Sequence, residues 1–108
     1  MKYAAIGLLI AIAPGAAIGA VPQYDANAYC QRVVSSGGTF SNTLYNTCID
    51  MEQTSYNKIK PVWDNLSRDI RNYCHRIVTS GGIGSYVLLE TCVQMELDAA
   101  SSKKNFKH

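Results

Sequence analysis

From residue 21 onward the apolar positions recur at three and four residues, the period of a helix face, and nowhere alternate with period two. Asp25 stands as a cap before a helix that runs through Tyr29, Cys30, Val33 and Val34, and Gly37-Gly38 supplies the permissive backbone that ends it. Ser41 caps a second helix, with Leu44, Cys48, Met51 and Ile59 spaced as one packed seam and Pro61 closing it. The plan then repeats. Ser67 caps a third helix whose expected buried face is Ile70, Tyr73, Cys74, Ile77 and Val78, and Gly81-Gly82 stops it. Ser85 caps a fourth, seamed by Leu88, Cys92, Met95 and Ala99. Val33-Val34, Ile77-Val78 and Tyr86-Val87 are strand formers, but the stretches after Ser41 and Ser85 are too long and too evenly seamed for strands. The expected fold is all-α: two tandem helical hairpins, residues 21–60 and 67–108, joined by a linker over residues 61–66 and packed as a small four-helix bundle.

The two hairpins are copies of one cassette. Tyr29-Cys30, Arg32, Gly37-Gly38, Ser41, Leu44, Thr47, Cys48, Met51 and Glu52 return, each 44 positions on, as Tyr73-Cys74, Arg76, Gly81-Gly82, Ser85, Leu88, Thr91, Cys92, Met95 and Glu96. All four cysteines fall inside the cassette. Cys30 lies about six residues before its turn and Cys48 about seven after it, so at about 1.5 Å per residue the two are level across an antiparallel pair. The pairing expected among the three that four cysteines allow is Cys30 with Cys48 and Cys74 with Cys92. A spacing of this length fits neither a redox C-x-x-C nor a zinc knuckle, so the bridges are structural.

Residues 1–20 read as a secretory signal: Lys2 carries a charge, residues 4–13 form an apolar run, Pro14-Gly15 breaks it, and small residues lead to cleavage after Ala20. The apolar run is too short for a membrane anchor. The expected location is the periplasm or the secreted medium, where disulfides persist and where a domain this small needs a staple. The whole chain has 10 Lys and Arg against 8 Asp and Glu, and loss of Lys2 with the leader brings the balance closer to neutral. Neither a polyanion nor nucleic acid is implied as partner, since there is no basic stripe with interleaved aromatics. Lys103, Lys104, Lys107 and His108 form a solvated tail.

The repeated Tyr and Glu invite a role. Glu52 shares a helix face with Cys48, and Tyr29 neighbours Cys30 on the facing helix, so the expected arrangement is a Tyr-Glu hydrogen bond clamping each hairpin: Tyr29 with Glu52, Tyr73 with Glu96. No nucleophile-base-acid set is evident, and neither a metal nor a cofactor is expected. His75 has Gln31 as its counterpart and reads as a surface residue. Asn65-Leu66-Ser67 matches a glycosylation acceptor, though Ser67 already serves as a cap. Residues that differ between the copies near the turns should carry any specificity, with Phe40 and Tyr86 as aromatic partner contacts or, equally, as lids on the core.

The cassette resembles one found in small exported proteins of proteobacteria, most closely in the second copy, from Trp63 through Tyr73-Cys74, Gly81-Gly82, Ser85-Tyr86, Cys92 and Glu96. The first copy departs by having Asn42 where Tyr86 stands. That family has no assigned activity, and the resemblance implies a periplasmic or secreted helical module and nothing catalytic. The expected function is a non-enzymatic, disulfide-stabilised protein-interaction module acting on another macromolecule, with a carrier of small hydrophobic ligands or lipids as the alternative.

Overall fold

The computed structural model describes residues 20–108; the signal segment expected over residues 1–20 lies outside them except for Ala20. Four α-helices occur among these residues, α1 (Ala26–Ser35), α2 (Asn42–Ile59), α3 (Arg68–Val78) and α4 (Tyr86–Ser101), with a short 3₁₀ turn over Trp63–Asn65 and no strand. Each begins where the expected cap stands. Asp25 Oδ1 accepts from the Ala28 N–H at 3.0 Å, Ser41 Oγ from Leu44 at 3.1 Å, Ser67 Oγ from Ile70 at 3.2 Å and Ser85 Oγ from Leu88 at 3.2 Å, so each satisfies one N–H that the helix itself leaves without a partner. The turns need their second glycines, since Gly38 and Gly82 adopt φ of 90° and 103°, where a side chain is strained.

Helices α1 and α2 pack as one hairpin and α3 and α4 as the other. Cys30 bonds to Cys48 and Cys74 to Cys92, with Cα–Cα distances of 5.7 and 5.6 Å. The level placement across the turn is the one read from the spacing.

The hairpins are joined side by side through α2 and α4. Glu52 meets Ser85, Tyr86 and Val87, and three residues further along α2 Ser55 meets Glu90. Contact therefore advances along both chains together, so α2 and α4 run parallel. Since Glu52 corresponds in the cassette to Glu96 but lies opposite residue 86, the second hairpin is displaced along the first by roughly 15 Å.

The core gathers Ile59 at the end of α2, Trp63 and Leu66 of the linker, Cys74 and Val78 of α3, and Tyr86, Leu89 and Val93 of α4, with Val21 packed on from the N-terminal side. Nearly all of it belongs to the second hairpin and the linker. Arg71 steadies the linker by donating from Nη1 to the Trp63 carbonyl at 3.3 Å.

The expected seams are corrected. In α4 the buried stripe is Tyr86, Leu89 and Val93, while Leu88, Met95 and Ala99 face solvent; in α2 it is Glu52, Ser55 and Ile59, with Leu44 and Met51 exposed. In α3 Tyr73 and Ile77 are likewise exposed, leaving Cys74 and Val78 inside. α4 carries two apolar stripes about 100° apart, one toward the bridge and one buried, while α2 sets an apolar stripe toward its bridge beside a face of Glu52, Ser55 and Ile59 toward the other hairpin. Parallel docking of α2 on α4 covers the second face of each and leaves the first outside.

Candidate functional site

Glu52 is 2 % exposed and occupies the junction of the hairpins. Ser85 Oγ donates to its Oε2 at 2.6 Å, the Tyr86 N–H donates to Oε1 at 2.7 Å, and the Val87 N–H lies 3.4 Å from Oε2. An acceptor at this place takes up N–H groups that the first turn of α4 leaves free and sits at the positive end of the helix dipole. Ser85 thereby does two jobs, accepting from Leu88 and donating to Glu52.

The Tyr-Glu clamp is therefore corrected. Tyr29 and Glu52 line one groove, and Tyr73 and Glu96 line another, but neither pair is hydrogen bonded. The first carboxyl group is bound instead by the N-terminus of a helix in the other repeat; the second, in half-buried Glu96, has no hydrogen-bond partner among the described residues. No local sequence signal marks a cap supplied from 33 residues away. Ser55 Oγ donating to Glu90 at 2.7 Å, with Lys58 Nζ 3.9 Å from the same carboxylate, is a second such junction contact that the sequence did not disclose.

Tyr86 is not a partner contact. It is 6 % exposed, its ring lies 4.8 Å from that of Tyr24 and 4.9 Å from that of Tyr56, its hydroxyl donates to the Pro22 carbonyl at 2.8 Å and accepts from the Tyr24 N–H at 2.7 Å. It ties residues 21–24 across the second hairpin as a strap. Tyr24 completes the strap: its ring stacks on His75, with the hydroxyl 2.9 Å from Nδ1, and a Cβ on Gly84 would stand 2.6 Å from the ring, so only glycine admits it. Phe40, by contrast, remains 44 % exposed at the first turn, against Tyr45 and outside both grooves.

Burial raises both phenols: Tyr24 by desolvation and then by proximity to Tyr86, and Tyr86 by desolvation, with Tyr56 and Glu52 adding to it and the Tyr24 N–H opposing. The unfolded chain then loses these protons at lower pH than the folded one. Stability from the strap is complete below about pH 10, the ordinary tyrosine value, and falls as pH rises above it. We expect absorbance titration at alkaline pH to show late-ionising tyrosines that shift to the ordinary range in a Gly84→Ala variant; titration of all the tyrosines together in the native protein would contradict the strap.

The residues expelled from the core form two grooves of about 320 and 430 Å³. The first is lined by Tyr29, Val33, Leu44, Met51 and the Cys48 bridge, the second by their cassette counterparts Tyr73, Ile77, Leu88, Met95 and the Cys92 bridge. Tyr29 borders both, and the neighbours Val87 and Leu88 line one each, so the grooves adjoin. No family model matches this chain, and neither does any curated protein or solved structure. The duplicated apolar face is thus read on its own chemistry. All four cysteines are held in bridges, and the described residues contain no group of three or more His, Cys, Asp or Glu placed to hold a metal ion. Two bridges across helical hairpins are the mark of folding in an oxidising compartment outside the cytoplasm, and no described helix is long and apolar enough to cross a membrane.

Proposed function

We propose that this chain is a non-enzymatic protein-interaction module of the periplasm or the secreted medium, docking through the duplicated face. One observation carries the reading. Of the eleven large hydrophobic residues that stand exposed among the described residues, seven lie in the two grooves, and six of these are the cassette pairs Val33/Ile77, Leu44/Leu88 and Met51/Met95. A soluble domain scatters single apolar residues over its surface; an apolar face gathered in one place, and made twice from the same residues, is a docking surface. Leucine and methionine suit it, being flexible enough to fit against another side-chain surface.

The carrier alternative requires enclosure, and these grooves are open: Leu44, Met51 and Met95 are each more than half exposed. The experiment is site-specific photocrosslinking in the compartment that receives the protein, with the photoreactive residue at Leu44 or Leu88 and, as control, at Gln53 on exposed α2. We expect a discrete protein adduct from both groove positions and none from the control. Adducts to lipid alone, or equal labelling at all three positions, would overturn the reading.

A further inference from the structure

We propose that the duplicated face is covered by a second copy of this chain, in a two-fold symmetric dimer. The inference rests on reading the face as a protein-docking surface, and it names the protein.

Area is the first argument. The seven groove residues are 42–65 % exposed and present on the order of 600 Å² of apolar surface, before the partly covered Tyr29, Val34 and Val87 are added, close to the roughly 800 Å² per partner of a stable interface. A membrane-binding face needs no such match, and a small ligand would cover only part of it.

Self-complementarity is the second. In a two-fold interface residue i of one copy meets j of the other and j meets i, so a surface must fit itself. A face whose two halves carry the same residues can meet that condition about an axis through the second groove, where Arg32 and Tyr29 of the first hairpin and Glu96 of the second stand together: the first hairpin of one copy then faces the second hairpin of the other, and Val, Leu and Met meet Ile, Leu and Met on both sides of the axis.

Charge is the third. Arg32 and Glu96 line the second groove together yet form no ion pair within the chain. With two copies face to face, Arg32 of each lies opposite Glu96 of the other, two pairs for one interface. A membrane surface carrying anionic lipid would want arginine here and reject the glutamate. The formal net charge of +2 over the whole sequence offers little repulsion against association.

Sedimentation equilibrium of the purified, disulfide-intact chain over micromolar to millimolar concentration tests the proposal. The expected species has twice the chain mass. Replacing both Leu44 and Leu88 with glutamate, positions exposed in the single chain, should raise the dissociation constant at least about a hundredfold while helix content and both bridges persist. Should that variant fail to fold, Arg32→Glu and Glu96→Arg decide the matter: each alone should be chiefly monomeric, and mixing the two should restore a dimer, which an attraction inside one chain would not do. A wild type monomeric at millimolar concentration overturns the proposal, as does a dimer indifferent to all four substitutions. A monomer that floats with vesicles of anionic phospholipid overturns it in favour of a lipid surface. Failure here with a persistent groove crosslink to a different protein leaves the docking reading standing; loss of both removes it.

Discussion

Glu52→Ala should destabilise the protein by about 3 kcal/mol, whereas Glu96→Ala should cost less than about 0.5 kcal/mol. The residues are cassette equivalents, and local sequence gives no reason for a difference. The difference comes from where the second hairpin docks. Removing the Glu52 side chain strands the Ser85 hydroxyl and the Tyr86 N–H, both buried, and leaves the first turn of α4 without its acceptor. Within its own chain Glu96 loses only its place at a groove wall. Glu52→Gln should fall between, because the amide oxygen can take one donor while its NH₂ must turn to the other. Chemical denaturation of the three variants measures this, and equal losses at 52 and 96 would mean that the junction does not hold α4 as described.

Removing the Cys74–Cys92 bridge by paired serine substitution should cost on the order of 3 kcal/mol through the freed unfolded chain, and somewhat more because a buried hydroxyl enters the core at position 74. Cys74 is fully buried within the main core cluster, so the loss should be global: one cooperative transition, shifted to lower denaturant. The Cys30–Cys48 bridge encloses an equal span but should fail differently. Cys30 is the one buried residue of α1, and beyond the bridge the side-chain hydrogen bond from α2 to α1 is Tyr45 to Asn27 at 3.2 Å. Its removal should release α1 while the second hairpin stays folded. Amide hydrogen exchange separates the cases: protection lost over residues 26–35 alone for the first bridge, and lowered throughout for the second. Uniform loss in both variants would contradict the placement of the core.

Local chemistry was legible in the sequence and the docking was not. Caps, glycine stops and bridges depend on a residue and its neighbours within a turn or a hairpin, and Asp25, Ser41, Ser67, Ser85 and the four cysteines stand in the roles their spacing implies. Which stripe of α2 and α4 is buried depends on how one hairpin meets the other. Leu44, Met51, Leu88 and Met95 read as core because they are apolar and regularly spaced, but α4 has a second apolar stripe that passes the same test, and on α2 the buried face is led by Glu52 and Ser55, which no apolar pattern marks. The bonding of Glu52 and Tyr86 is hidden for the same reason: their partners lie 33 and 64 residues away.

Both bridges join consecutive cysteines. For a chain threaded N-terminus first into an oxidising space, Cys48 arrives while Cys74 and Cys92 are still behind the barrier, so Cys30 has one available thiol and the native one. By the time the last two cysteines emerge, the first two are already spent. An oxidase that joins thiols in order of arrival then yields the native set, and no isomerase is required to correct it.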